Sequence, residues 1–237
     1  MLKTVSIWPN FLRFSHGTIR FSKHRMCSSD STMDTLLVRN KRAVTAISEK
    51  NPGLFEGLAE GQHPKYLYFG CSDSRISPEL MLGLKPGEMF VHRNVGNCVL
   101  GNDLGALAAL EFALGKLGIQ EIIVAGHYDC GAVRAAMSRK DYGLVSHWIR
   151  SIKDVYRLHR EELDAIKDLE HRHRRFVELN VQEQCLNLYK TSIFQTKKPT
   201  IYAVTFDPAN GLMKEVKFET NKDITAVHHV YNIDEFA

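Results

Sequence analysis

The feature that most constrains the fold is an almost uninterrupted apolar segment at residues 119–126, IQEIIVAG. A strand with one solvated face would alternate apolar and polar side chains, whereas this segment is apolar at nearly every position. It therefore predicts a strand covered on both faces, as in the parallel sheets of α/β proteins. Two further strands are predicted at residues 65–70 and 88–93, with helical patterns between them.

The rest of the chain continues this alternation of strand and helix. Helical patterns occupy residues 29–50, 103–117, 144–168 and 171–195, and shorter helices are predicted to begin at 77 and near 132. Two more strands are predicted at 200–205 and 213–218. Ser29, Asp30 or Ser31 is expected to cap the first helix. We expect an α/β fold with a mainly parallel central sheet flanked by helices, in one domain from residue 30 to residue 237.

The first 29 residues differ in composition from this domain. They contain no Asp or Glu but carry five Lys or Arg residues, at positions 3, 13, 20, 23 and 25. This composition predicts a mitochondrial transit peptide, and the alternative is a basic tail on a cytoplasmic protein. Without those five charges the formal net charge of +4 becomes −1, so the domain has no basic excess that would indicate nucleic-acid binding.

Composition and cysteine usage exclude two other classes of protein. No segment reaches the roughly 18–20 uninterrupted apolar residues of a membrane span, so we expect no integral membrane segment. The five cysteines, at 27, 71, 98, 130 and 185, are scattered and show no secreted-type disulfide framework. They are better interpreted as metal ligands, nucleophiles or small core residues.

The segment GCSDSR, residues 70–75, places polar chemistry where the strand at 65–70 ends. If the backbone stays extended, Cys71, Asp73 and Arg75 lie on one side, because strand side chains alternate with a period of two. That side would hold a soft metal ligand, a carboxylate and a fixed positive charge. A polar turn with a small buried cysteine is the alternative interpretation.

A second polar cluster, HYDC, follows the strand at 119–126. Functional groups of parallel sheets collect beyond the carboxyl ends of their strands, so both clusters are expected at one edge of the sheet. His127 and Cys130 can converge on one point, and Cys71 adds a second thiolate. Two thiolates and one imidazole are the donors that Zn²⁺ prefers at a tetrahedral site with one exchangeable position.

The motifs CSDSR, HRNVGN and GHYDCG resemble those of the β-class carbonic anhydrases, from about residue 52 to the C-terminus. The resemblance implies one zinc ion per chain on Cys71, His127 and Cys130, and a zinc-bound hydroxide that hydrates carbon dioxide to bicarbonate and a proton. It implies that Asp73 is a fourth zinc ligand in a closed, inactive state and a hydrogen-bond acceptor for zinc-bound water in an open state. Arg75 is then the partner that draws Asp73 off the metal.

The resemblance also implies pocket residues and an assembly. Gln62 is the implied amide that binds carbon dioxide or bicarbonate, Phe90 an apolar wall, and Phe112 lies where many members carry Tyr. Gly96 replaces a usual Ala, which we expect to be a small change. The implied assembly is a homodimer, or a tetramer built as a dimer of dimers. Its N-terminal helical arm, at about 30–50, contacts the partner, and Gln62 and Phe90 complete the neighbouring pocket.

Two other functions are compatible with the same residues. One is a noncatalytic zinc-binding or sensing module on this fold, and the other is a hydrolase of carbonyl sulfide or carbon disulfide. A purely structural zinc site closes all four ligand positions and needs no exchangeable carboxylate. The presence of Asp73 and Arg75 therefore favours an enzyme over a noncatalytic module.

Overall fold

The computed structural model describes residues 32–218 and 220–233, so the predicted leader at 1–29 lies outside the described residues. The chain divides into two compact units after Phe55. The helices are α1 Met33–Lys50, α2 Leu54–Ala59, α3 Pro78–Leu82, α4 Leu104–Glu111, α5 Gly131–Ala136, α6 Leu144–Trp148, α7 Arg150–Leu158, α8 Arg160–Ala165, α9 Leu169–Tyr189, α10 Ser192–Lys197 and α11 Thr220–Tyr231. The strands are β1 Tyr66–Cys71, β2 Met89–Asn94, β3 Glu121–His127, β4 Thr200–Asp207 and β5 Leu212–Glu215.

The five strands form one sheet in the order β2-β1-β3-β4-β5. The first four strands of that order run parallel, and β5 pairs antiparallel with β4 at the edge. Because β1 and β3 are neighbours, with Gly70 opposite Ala125, the residues that follow them reach the same edge of the sheet. The predicted α/β class and the mainly parallel sheet are confirmed.

One face of the sheet is fully covered by helices. Leu67, Phe69 and Val124 are buried there among side chains of α4 and α9. A Cβ atom at Gly126 would lie 2.6 Å from a methyl carbon of Val181, so glycine allows β3 to approach α9 closely. This contact anchors the end of β3, which carries His127, against the longest helix of the chain.

The opposite face of the sheet is only partly covered. Tyr68, Ile123 and Ala125 are buried on it, but Tyr202 and Val91 are 43% and 37% exposed. Tyr202 lies on β4, an interior strand of the sheet, and leaving apolar surface there in water forgoes the free energy of burial. The face therefore retains apolar surface that the described helices of its own compact unit leave uncovered.

Helix boundaries differ from the sequence prediction where tertiary contacts intervene. The predicted helix at 144–168 is three helices, α6, α7 and α8, and the break between the last two lies at His159, whose ring contacts Glu183 of α9 at 2.9 Å. The prediction at 171–195 is α9 followed by α10, and α4 continues into a π-helical turn at Phe112–Lys116. No prediction was made for α11.

The first helix begins later than predicted. Its N-cap is Thr32, whose hydroxyl accepts a hydrogen bond from the backbone N–H of Thr35, so none of the three predicted caps holds that position. No residue of α1 is buried, and its apolar residues Met33, Leu37 and Val44 are exposed.

No helix in the described part of the chain is long and apolar enough to cross a bilayer.

Candidate metal centre and active site

Three predicted metal ligands meet at the carboxyl edge of the sheet. Cys71 is the last residue of β1, His127 is the last residue of β3, and Cys130 is the N-cap of α5. Their ligand atoms, two thiol sulfurs and a ring nitrogen, all lie within 4.8 Å of one another, and all three residues are buried. The fold therefore brings together a donor set that the sequence places 59 residues apart.

The ring of His127 is oriented as a metal ligand requires. Its Nδ1 lies 3.0 Å from the carbonyl oxygen of Tyr128, and a carbonyl can only accept, so Nδ1 carries the proton. Nε2 then offers a lone pair to the cluster, and it is buried without a hydrogen-bond partner. A buried acceptor left without a donor is costly, and a cation between the three ligands would satisfy it.

The two thiols are electrostatically different from the other cysteine beside them. A hydrogen bond from Cys130, followed by contacts to His127 and the backbone N–H of Gly96, lowers the pKa of Cys71. The pKa of Cys130 is raised by its hydrogen bond with Cys71 and by burial. Burial raises the pKa of Cys98 to about 12, so Cys98 stays a neutral thiol. The lowered pKa of Cys71 beside a second buried thiol fits a site for a divalent cation, and the S₂N donor set fits zinc.

The Asp73 carboxylate lies beside this cluster and is held by Arg75. The guanidinium donates from Nε to Oδ1 at 3.0 Å and from Nη2 to Oδ2 at 2.8 Å, and the backbone N–H of Arg75 donates to Oδ1 at 2.9 Å. These bonds, the side-chain pair first, lower the pKa of Asp73 to about 2. Oδ2 is also 3.8 Å from Nε2 of His127. An ionised carboxylate therefore lies next to the predicted metal ligands, with both oxygens bonded to Arg75.

Arg93 fixes the backbone that carries these groups. Its Nε and Nη2 donate to the carbonyl oxygens of Cys71 and Asp73, each at 2.8 Å. Asn94 bonds both the N–H and the carbonyl of Cys98, and its own carbonyl accepts from Ser72. Since β2 supplies both side chains, the loop after β1 is held by the neighbouring strand.

Comparison with known proteins agrees with this geometry. The family model described as carbonic anhydrase matches residues 66–213. A carbonic anhydrase of Emericella nidulans is 39% identical over 209 residues, which are 86% of this chain and 92% of that protein. The chain belongs to the β-class carbonic anhydrase family.

Solved structures give the same result for the β-class fold. A β-carbonic anhydrase of Aspergillus fumigatus superposes with a TM-score of 0.78 at 30% identity, covering 85% of this chain and 99% of that one. A structure described as one of two tetrameric β-carbonic anhydrases from Sordaria macrospora gives a TM-score of 0.74 at 34% identity, covering 79% and 98%.

Within one chain, the pocket residues implied by β-class resemblance are exposed or pack against a different apolar cluster from the ligands. Gln62 is exposed in the loop before β1. Phe90 and Phe112 stack with ring centroids 5.8 Å apart, and Phe90 packs against the core on the helix-covered face. Cys71 and Cys130 belong to a different apolar cluster. The structure therefore confirms the meeting of the three ligands with Asp73 and Arg75, and it leaves the three pocket roles as predictions.

Two residues around this β-class site were not found from the sequence. His173 of α9 is buried under the site, with Nε2 3.2 Å from the carbonyl oxygen of Cys130. Asp129 accepts a hydrogen bond from Nη1 of Arg75 at 3.1 Å. Asp129 could have been singled out because it lies between two ligands within GHYDC, whereas nothing local marks His173.

Proposed function

We propose that this protein catalyses the reversible hydration of carbon dioxide to bicarbonate and a proton, with one zinc ion per chain held by Cys71, His127 and Cys130. The observation that carries the proposal is the buried thiol–imidazole–thiol cluster with an ionised, Arg-bound carboxylate at its edge. A purely structural zinc site needs neither the Asp73 carboxylate nor the Arg75 guanidinium. Membership of the carbonic anhydrase family supports the same reaction.

The reaction needs hydroxide near neutral pH. Zinc, when bound, supplies a Lewis acid that lowers the pKa of water from about 15.7 to about 7. Asp73 acts next to it: its carboxylate, ionised because Arg75 holds its pKa near 2, accepts the O–H of the attacking oxygen and turns a lone pair toward carbon dioxide. Its Oδ2 is suitably placed, since it lies 3.8 Å from the ligand atom of His127.

Arg75 keeps this carboxylate available for that role. A free carboxylate beside a cation would bind it, and that binding would occupy the exchangeable position. Two parallel N–H···O bonds to a guanidinium compete with such binding and also fix the plane of the carboxylate. Lys at this position would retain the charge but could not form the same two-pronged contact.

Stopped-flow assays on the purified protein test the proposal, with zinc content measured on the same sample. We expect about one zinc per chain and hydration of carbon dioxide that rises from neutral to mildly alkaline pH. Carbonyl sulfide and carbon disulfide are assayed alongside. A chain with full zinc and no hydration would indicate a noncatalytic module, and preferential turnover of either sulfur compound would indicate the hydrolase.

We infer that the working assembly is a homodimer or a dimer of such dimers. The support is threefold: the partly uncovered sheet face, the exposed apolar residues of α1, and the position of Phe90 in a different apolar cluster from the ligands. In a dimer, α1 of one chain would cover apolar surface of the other, and Gln62 and Phe90 would complete the partner's pocket. A tetrameric description of the Sordaria macrospora relative agrees with this proposal.

Subunit complementation tests the shared pocket. A Cys130→Ala chain lacks a metal ligand but keeps Gln62, and a Gln62→Ala chain keeps all three ligands. Each variant alone should be impaired. Coexpressed, half of the dimers are mixed and contain one complete site of two, so hydration should recover to about a quarter of the parent value. No recovery in mixed dimers confirmed by tagged purification would show that each pocket is built from one chain.

We propose that the protein is imported into mitochondria, on the acid-free and basic composition of residues 1–29. A fluorescent protein fused to residues 1–29 alone should colocalise with a mitochondrial marker. The matched control replaces Arg13, Arg20 and Arg25 with Gln, which removes three of the five positive charges. Cytosolic fluorescence from the unmodified fusion would favour the cytoplasmic alternative.

A further inference from the structure

Arg75 contacts a second carboxylate besides Asp73. Its Nη1 donates to Oδ2 of Asp129 at 3.1 Å, and its Nη2 donates to the carbonyl oxygen of Asp129 at 3.2 Å. Nε and Nη2 face Asp73 at the same time. The guanidinium therefore joins the loop after β1 to the loop between His127 and Cys130. Asp129 binds Nη1, the guanidinium nitrogen that Asp73 does not contact.

Asp129 is itself held in place from the other side. Nη2 of Arg134 donates to Oδ1 of Asp129 at 3.2 Å, and Arg134 forms two parallel bonds with Glu170, at 2.8 and 2.9 Å. Acidic and basic groups thus alternate from Asp73 to the first turn of α9. Each oxygen of the Asp129 carboxylate has its own arginine, so its orientation is defined by two contacts.

The backbone at Asp129 indicates that the side chain is not there for local conformation. Its φ is +56°, in the left-handed region where glycine is favoured and Asp or Asn is tolerated. Its side chain is 63% exposed, so it contributes little to the core, and exposed ion pairs contribute little to stability. The contact with Arg75 is the feature of Asp129 that bears on the active site.

We propose that Asp129 is a positioning residue for carbon dioxide hydration, which holds Arg75 so that its Nε and Nη2 stay directed at Asp73. The proposal rests on the proposed function. The Arg75 side chain is 44% exposed and long, so without a second anchor it would sample several rotamers whenever Asp73 moves. Asp129 keeps the guanidinium in place while the Asp73 carboxylate changes partners, and Asp73 returns to a preorganised site.

Two substitutions at residue 129 separate this role from a structural one. Asp129→Asn keeps the shape and tolerates the left-handed backbone but loses the charge, and Asp129→Gly removes the side chain while suiting that backbone. We expect hydration to fall about two- to tenfold in the Asn variant and further in the Gly variant. Zinc content should stay at the parent level, and the melting temperature of the Gly variant should equal or exceed that of the parent. Activity and stability would then move in opposite directions.

A double-mutant cycle shows whether the effect passes through Arg75. In an Arg75→Ala background, Asp129→Asn should cause no further loss of hydration. The matched control is Asp154→Asn on α7, whose carboxylate is also 63% exposed and contacts Arg157 at 3.1 Å; its hydration should stay within twofold of the parent. Full hydration by both residue-129 variants, or an equal loss with and without Arg75, would overturn the proposal. A parent protein that hydrates no carbon dioxide would instead refute the proposed function.

Discussion

The predicted metal-ligand cluster and the Asp73–Arg75 pair are immediate neighbours, yet they differ in burial and in the contacts that hold them. Cys71, His127 and Cys130 are almost completely buried, whereas the side chains of Asp73 and Arg75 are 19% and 44% exposed. Buried side chains among packed neighbours are held in single positions, and exposed ones exchange partners readily. The site thus combines a rigid part suited to holding a metal with a more mobile part suited to switching contacts.

The rigidity of the ligand cluster comes from its backbone. Arg93 binds the carbonyls before and after Ser72, Tyr128 accepts from the ring of His127, and His173 contacts the carbonyl of Cys130. Arg93 also holds the backbone of Asp73, but the guanidinium of Arg75 is anchored beyond Asp73 by the exposed Asp129. Substitutions in the two regions should therefore affect different properties: metal retention in the cluster and turnover in the pair.

The largest effect is expected from Cys130→Ala. With one thiolate removed, the remaining two ligands cannot hold zinc tightly, so the purified variant should contain much less than one zinc per chain and hydrate carbon dioxide at the background rate. Metal analysis by mass spectrometry measures the first result. The matched control is Cys98→Ala, another buried cysteine, which should retain full zinc. Full zinc in the Cys130→Ala protein would refute the ligand assignment.

Arg75→Ala should have the next largest effect, in the other region. The variant should keep its zinc, because no ligand is touched, but Asp73 loses its bidentate partner and becomes free to bind the metal. We expect hydration to fall by about 30- to 1000-fold, the range for losing one charge-assisted contact at a catalytic site. The hydration rate of Arg75→Lys should lie between those of the parent and Arg75→Ala, since Lys keeps the charge but cannot form the bidentate contact. Unimpaired turnover by Arg75→Ala would show that Asp73 needs no such partner.

Much of this site could be predicted from the sequence because it depends on short-range patterns. The rule for parallel sheets correctly brings Cys71, His127 and Cys130 to the same edge. The expectation of an extended backbone beyond Cys71 was wrong, because β1 ends there and a turn, in which the N–H of Arg75 donates to Oδ1 of Asp73, brings Asp73 and Arg75 together.

The break at His159 depends on its contact with Glu183 of α9, which local patterns do not encode. The antiparallel pairing of β5 is a local hairpin with β4, and only the strand itself was predicted. The contact of His173 with the carbonyl oxygen of Cys130 likewise joins residues far apart in the sequence, so local patterns do not predict it.

Gly96 is a position where the structure changes the expectation from sequence. Replacement of the usual Ala by Gly suggested a small change, but Gly96 has a φ of +83°, and an added Cβ would lie 2.6 Å from Cδ1 of Ile152 and 3.1 Å from Cβ of Ala132. Its N–H also lies 3.5 Å from the sulfur of Cys71. The chain around Gly96 is therefore adapted to glycine.

Gly96→Ala should reduce stability more than turnover. We expect a loss of about 1–3 kcal/mol in the free energy of unfolding, from the left-handed backbone and the close contacts together. Urea unfolding of the zinc-loaded protein measures it. Gly101→Ala is the control, because its φ lies outside that region and nothing lies within 4 Å of the added Cβ. Adding Ile152→Val removes the Cδ1 contact and separates crowding from backbone strain. An unchanged urea midpoint in Gly96→Ala would contradict the conclusion that the chain is adapted to glycine at residue 96.

The smallest effect concerns Glu178, which supports the buried ligand cluster through its hydrogen bond with Tyr128. The Tyr128 hydroxyl donates to Oε1 of Glu178 at 2.7 Å, and Nη1 of Arg175 donates to Oε2 at 3.2 Å. Burial raises the pKa of Glu178, but these hydrogen bonds and the charge of Lys214 outweigh burial, so its pKa lies below the ordinary 4.5. Ionised Glu178 therefore stabilises the fold and helps to hold the carbonyl that orients His127.

Glu178→Gln should lower stability by about 1 kcal/mol at pH 7, the usual net contribution of one intramolecular hydrogen bond. Because the native pKa of Glu178 is depressed, its contribution is complete above pH 4.5 and is lost as the pH falls through the native value. Urea unfolding of both proteins at several pH values should thus show a difference that is constant from pH 7 to 5 and shrinks below 4.5. Glu162→Gln, which removes an exposed partner of Arg175 without touching Tyr128, should show about half that difference or less at any pH. A difference that grows toward acid pH would mean that the protonated form of Glu178 is the stabilising one.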